Sequence, residues 1–173
     1  MKTYRVGIIG ATGMVGQRFA TLLENHPWFQ VTALAASGRS AGKPYAEALG
    51  NRWVMKTPIP AKMADMVLLN AAEDVDQMKE LVDFVFCAVN MSKPETKALE
   101  ELYAKAEIPV VSNNSANRGM DDVPMVVPEI NADHLSVIET QRKRLGTKRG
   151  FIAVKSNCSL QSYVPALHPL KDV

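Results

Sequence analysis

Cysteine occurs only twice in the 173 residues, as Cys87 and Cys158. The two stand in unrelated contexts without metal-ligand spacing, which excludes a disulfide framework and a thiolate zinc site. No apolar run approaches the roughly 20 residues that cross a bilayer, and the N-terminus lacks the apolar core of a signal peptide, so a cytoplasmic chain is expected. Charge of one sign is not in excess either, because 20 Lys and Arg against 18 Asp and Glu leave a net +2. That balance offers nucleic acid no basic footprint. The one basic cluster, QRKRLGTKR at 141–149, has no interleaved aromatics and reads as a solvated loop with a turn at its Gly-Thr. Internal repeats and low-complexity segments are lacking as well. What remains is 47% hydrophobic and 22% charged, enough for one well-buried domain and short for two.

Against these absences, glycine is placed with unusual regularity in GIIGATGMVG, at Gly7, Gly10, Gly13 and Gly16. Collagen would need that period over a long proline-rich stretch, and no proline falls among these four. Before the motif lies the apolar, β-branched YRVGIIG; after it, MVGQRFATLLENH has helical spacing, with Val15, Phe19, Leu22 and Leu23 read as one face. Strand, glycine turn and helix in that order open a nucleotide-binding βαβ unit. In such a unit Gly10 and Gly13 shape the turn, and the amides of Thr12, Gly13, Met14 and Val15 point at a pyrophosphate that the helix dipole favours. The same glycines would equally serve a turn that holds nothing, and only the flanks favour the ligand.

Further strands read as WFQVTALAAS (28–37), DMVLLN, DFVFCAVN, IPVVSN and GFIAVKSN. SKPETKALEELYAKAE (92–107) is a helix with Ser92 as cap, Pro94 in the first turn, Glu95 three residues after the cap, and Leu99 and Leu102 on one face. GRSAGKPYAEALGNRW shows no period, and VPMVVPEINADHLSVI reads as a short extended piece leading into a helix. Strands alternating with helices predict an α/β fold with a doubly wound parallel sheet, a Rossmann-type dinucleotide-binding domain. Residues 1–157 form that domain on this reading. Residues 158–173 begin a second, catalytic and dimerising unit that is otherwise absent.

The end of the second strand faces the adenosine ribose in this fold, where an acid selects NAD and an arginine accommodates the 2′-phosphate of NADP. AASGRSAGK has no acid there. Ser37, Arg39 and Ser40 offer a guanidinium and two hydroxyls instead, so NADP is the expected cofactor. A second signal is KSNCS: Cys158 follows a strand in the first turn of a helix, capped by Ser156 or Asn157. A thiol there has its thiolate stabilised by the free amides, and its polar neighbours argue against a packed structural cysteine. Cys87, flanked by strand residues, reads as packed. A thiolate beside NADP points to attack on a carbonyl with hydride passing between that carbon and the nicotinamide, Asn157 donating to the oxyanion. Arg118, in NNSANRGMDD, either binds a phosphate or carboxylate or stands as a surface charge.

VGIIGATGMVGQRF, AASGRSAGKPY, SNNSANRGMDDVPMVVPEIN and GFIAVKSNCS, in this order, resemble the aspartate-β-semialdehyde dehydrogenase family, particularly its archaeal and fungal-like branch. The resemblance implies NADPH-dependent reductive dephosphorylation of aspartyl-β-phosphate, toward lysine, threonine and methionine. It implies Cys158 as the acyl-forming nucleophile, Asn157 as partner of substrate or oxyanion, Arg118 as ligand of the substrate's phosphate, and Ser115 near the nicotinamide. N-acetylglutamyl-phosphate reductase and malonyl-CoA reductase share related motifs, and a non-catalytic NADP-binding module is a third alternative. Family members are homo-oligomers about twice this long, their second half supplying a catalytic histidine and a substrate-carboxylate arginine. His168 cannot replace that histidine, since ten helical residues separate it from Cys158, about 15 Å along the axis. His26 and His134 read as surface residues, and Pro165 as a kink or early stop in the last helix. The chain alone is accordingly expected to turn over little or not at all.

Overall fold

The structure is a computed structural model and describes residues 2–171. Its strands are β1 (Tyr4–Ile9), β2 (Phe29–Ala36), β3 (Leu69–Asn70), β4 (Phe84–Cys87), β5 (Val110–Ser112), β6 (Met125–Val126) and β7 (Ile152–Lys155). Its helices are α1 (Met14–Leu23), α2 (Tyr45–Leu49), α3 (Ala61–Ala64), α4 (Val75–Leu81), α5 (Lys93–Lys105), α6 (Pro128–Asn131), α7 (Ile138–Leu145) and α8 (Cys158–Leu167). All seven strands join one sheet in the order β3-β2-β1-β4-β5-β7-β6, and each pairing is parallel. The chain leaves β3 at one edge and returns on the far side of β1. The carboxyl ends of β1 and β4 therefore flank the crevice where a doubly wound sheet takes a ligand.

Alternation along the strands assigns side chains to the two faces. Val6, Ile8, Leu34 and Ala36 pack with Ala20 and Leu23 of α1, Tyr45, Leu49 and Leu68. Ile9, Ala33, Ala35, Val85, Cys87, Val110 and Ile152 pack with Val75 and Met78 of α4, and with Leu99 and Tyr103 of α5. Among the described residues no helix is long and apolar enough to cross a membrane. Met1, Asp172 and Val173 lie outside the described residues, so the last two positions assigned to a 158–173 unit are not placed.

α5 forms as its cap signals dictate: Ser92 and Glu95 make a reciprocal capping box. Its buried face is Thr96, Leu99, Glu100, Tyr103 and Ala104, whereas Leu102, expected beside Leu99, is 43% exposed. α1 corrects the sequence reading more sharply. Gly16, Gln17, Ala20 and Leu23 are buried, while Val15 and Leu22 are exposed; a glycine and a glutamine hold the inner face that an apolar count gave to valine and leucine. The stretch without a period contains α2, whose Tyr45 and Leu49 are almost wholly buried.

The basic cluster is also corrected. Its first half is the end of α7, closed by Gly146 in the left-handed conformation. Gln141 is fully buried and bridges Asp122 O and Ile152 O. Arg144 reaches Asp122 and Glu101. His26 and His134 are half-buried and pinned to backbone, at Trp28 N and Phe29 N and at Met125 N respectively.

Candidate active site

Three of the four spaced glycines are needed by the chain itself. A Cβ on Gly16 would stand 2.2 Å from Gly10 O, one on Gly10 would stand 2.5 Å from Ala88 O, and one on Gly7 would meet Met78 Sδ at 2.9 Å. Gly13 differs: its Cβ would find nothing closer than Gly10 O at 3.4 Å, and its backbone, φ −76° and ψ 162°, suits any residue. The missing side chain at Gly13 leaves open space, and that space belongs to a cavity.

Two cavities meet over this loop. The first, about 500 Å³, is lined by Thr12, Gly13, Ser37, Arg39, Ser40 and Lys43, with Glu47, Ala48, Arg52 and Asn90 completing it. The second, about 410 Å³, runs over Gly10, Ala36, Gly38, Asn70, Ala88 and Val89 and shares Thr12, Gly13, Ser37, Arg39 and Asn90 with the first. Gly10, Thr12, Gly13, Ser37, Arg39 and Ser40 are thus brought together as expected. Met14 and Val15, at the exposed start of α1, line neither. Sequence reasoning missed Lys43, Arg52 and Asn90. For Lys43 the signal lay four residues past Arg39, whereas Arg52 is brought in by a fold no local pattern foretells. Three cations against one carboxylate, beside three hydroxyls and an open glycine loop, suit a dinucleotide with an extra phosphate monoester.

Beyond these cavities, the carboxyl ends of β5 and β7 carry the remaining candidates. Cys158 is exposed and opens α8. Asn157 is the cap, its Oδ1 accepting from Ser159 N at 2.8 Å, with Cys158 Sγ at 3.8 Å. Ser156 is buried, and its Oγ has no hydrogen-bond partner among the described residues. Pro165 lies inside α8 without ending it, so His168 stands past the helix's far end. Cys87, by contrast, is fully buried; burial first, then the charge of Glu100, pushes its thiol far above the ordinary range. It is a packed cysteine and inert.

Arg118 and Ser115 occupy the loop after β5. The Arg118 guanidinium donates to Asn113 O at 3.1 Å from Nη2, while its buried Nε has no partner among the described residues. The loop is held by Glu100, a buried residue of α5, whose carboxylate accepts from Ser112 Oγ at 2.5 Å, Asn114 Nδ2 at 3.2 Å and Asn117 Nδ2 at 2.7 Å. Ser115 is exposed.

Lys155, at the end of β7, is a further residue that motif reading passed over. Its ammonium donates to Ser156 O at 3.1 Å. Burial first, then the nearby Arg118 guanidinium, holds it below the usual lysine range, with Cys158 pulling the other way. The register places Ser112 beside Val154, so the loop bearing Arg118 and the strand end bearing Lys155 and Cys158 are neighbours by topology.

A family model described as "Semialdehyde dehydrogenase, NAD binding domain" matches residues 5–138. An aspartate-semialdehyde dehydrogenase of Archaeoglobus fulgidus is 42% identical over 172 residues, 98% of this chain and 47% of that protein. Its counterpart in Schizosaccharomyces pombe is 41% identical over 172 residues, 99% of this chain and 46% of that protein. Among solved structures, the aspartate semialdehyde dehydrogenase of Candida albicans with NADP superposes with a TM-score of 0.84 at 36% identity, covering 99% of this chain and 47% of that one. The chain spans about half the length of the relatives it matches.

Proposed function

Because the chain belongs to the semialdehyde dehydrogenase family and carries its NAD-binding domain, we propose that it is the cofactor-binding, nucleophile-bearing half of an NADPH-dependent aspartate-semialdehyde dehydrogenase. The observation that carries this reading is the exposed Cys158 at the capped start of α8, on the same carboxyl edge of the sheet as the glycine loop and its cavities. On this reading residues 1–157 bind the cofactor, and the segment from Cys158 onward opens the catalytic and dimerising unit. α8 buries none of its residues, as suits a helix that packs elsewhere.

Each residue then has a task. Thr12, Met14 and Val15 present amides to the pyrophosphate, while Gly13, whose own N–H donates to Gly10 O at 3.1 Å, keeps the cavity open and Gly10 holds the turn. Ser37, Arg39 and Ser40, joined by Lys43 and Arg52, take the 2′-phosphate. Cys158 attacks the β-carbonyl carbon of aspartyl phosphate; a C–S bond forms, the bond from that carbon to the phosphate oxygen breaks, and phosphate leaves with the electron pair. Arg118, with its unpartnered Nε, and Lys155 receive that phosphate. NADPH, when bound, would supply the hydride that reduces the thioester carbon, with Ser115 on the nicotinamide side of the site. The C–S bond then breaks, returning the thiolate and releasing the semialdehyde. With its Oδ1 engaged by Ser159 N, Asn157 offers its NH₂ group to the oxyanion.

His168 follows the far end of α8, about 15 Å along the axis from Cys158. Acylation of Cys158, exposed at the start of α8, is the step the chain should perform alone, with sustained turnover slight or absent. The test is to mix the chain with β-aspartyl phosphate and follow intact mass. One aspartyl group should appear on Cys158 and none on Cys87. Arg118→Met should slow its appearance by about tenfold or more, and NADP should slow alkylation of Cys158 by iodoacetamide. An unmodified Cys158, equally reactive with and without NADP, would overturn the reading.

A further inference from the structure

The glycine loop and the cationic cavity are latched together by two buried side chains that do not themselves line the cavity. Gln17 of α1 is 2% exposed, and its carboxamide joins three chain positions. Nε2 donates to Thr12 O at 3.1 Å and to Arg52 O at 2.9 Å, and Oε1 accepts from Val54 N at 2.9 Å. Tyr45, fully buried, adds a second tie through its hydroxyl, which donates to Ala11 O at 2.9 Å. Trp53 meets the Tyr45 ring edge-on at 6.4 Å. The carbonyls of Ala11 and Thr12 are thereby both bound to the segment that closes the cavity. Arg52 lies on that segment; its Nη2 donates to Ala48 O and the residue lines the cavity with Arg39 and Lys43. Its side chain is exposed, and its backbone, between the buried Leu49 and the core-packed Trp53, is tied to the loop through Gln17, whose Nε2 holds both Arg52 O and Thr12 O.

We propose that Gln17 is a positioning residue for phosphate recognition, holding Arg52 as a third cation over the 2′-phosphate end of the cavity at a set distance from the pyrophosphate amides. This rests on the reading that the cavity takes NADP. Discrimination between NADP and NAD then depends on a buried amide that contacts no ligand. Glu47, in the same cavity, opposes the phosphate, so losing one of three cations matters more than in a purely basic pocket. The arrangement makes the effects of Gln17 and Arg52 one effect, because removing the anchor and removing the anchored charge abolish the same contact.

The test is calorimetric titration of the chain with NADP and with NAD, for the wild type, Gln17→Met, Arg52→Met and the double variant. Each single variant should lose about tenfold or more in NADP affinity, as for one charge-assisted contact, with NAD affinity unchanged, and the double variant should lose no more than either single one. A loss shared equally by NADP and NAD in Gln17→Met would overturn the proposal, since Gln17 would then only support the glycine loop. An NADP preference intact in Arg52→Met, whose exposed side chain can be removed without disturbing the core, would overturn it whatever Gln17→Met does. A wild-type chain that binds NAD as tightly as NADP would overturn the cofactor reading and this proposal with it.

Discussion

At the scale of single residues, the four spaced glycines divide by the reason for each. Gly16 sits where a Cβ would be 2.2 Å from Gly10 O, and Gly13 where the nearest atom is 3.4 Å away. Gly16→Ala should therefore cost about 1–3 kcal/mol of stability, as overpacking does, seen as a lower melting temperature. Gly13→Ala should melt close to the wild type yet bind NADP about tenfold or more weakly, because its methyl group occupies ligand space. Equal melting of the two variants would contradict this division. The period was legible in the sequence, but which glycine faced a ligand was not. For Gly7 and Gly10 that depends on Met78 and Ala88, more than 70 residues away, and for Gly16 on how the loop folds Gly10 O back onto the helix. Gln17 was illegible for a related reason, since a polar residue on an inner helix face is explained only by the carbonyls and amide it meets.

At the scale of elements, the turn after α7 is fixed by a carboxylate. Glu107, in the left-handed conformation at φ 68°, accepts from Lys148 N, Arg149 N and Gly150 N at 2.9, 2.6 and 2.8 Å. Those backbone amides, Lys148 first, hold its carboxyl down at about 2. A carboxylate so lowered adds stability above its unfolded value of about 4.3, and that addition fades as the pH falls from there toward 2. Glu107→Gln should cost about 1–2 kcal/mol at neutral pH, discounted for its exposure, and the gap to the wild type should narrow in acid melts; a gap constant from pH 7 to 2 would count against this role. The same segment shows why the basic cluster misread as a loop. Arg144 looks solvated because its partners, Glu101 and Asp122, lie far along the chain, whereas α5 was legible because Ser92 and Glu95 cap it three residues apart.

At the scale of the whole molecule, ligand and fold are linked by mass action. NADP at about a hundred times its dissociation constant should stabilise the folded chain by about 2.7 kcal/mol, raising the melting temperature by about 5–10 °C for a chain of this size. NAD at the same concentration should raise it less, and an equal rise would remove the case for a 2′-phosphate site. The sequence by itself determined the longer strands, helices α1 and α5, the glycine loop, the serines and arginine after β2 and the cysteine at a helix start, because each is written in residues near one another along the chain. Only the tertiary structure decided the rest. It set the order β3-β2-β1-β4-β5-β7-β6, brought Lys43 and Arg52 into one cavity with Arg39, and placed Lys155 near Arg118 and Cys158. Strand pairing joins positions whose separation in sequence carries no information about their separation in space.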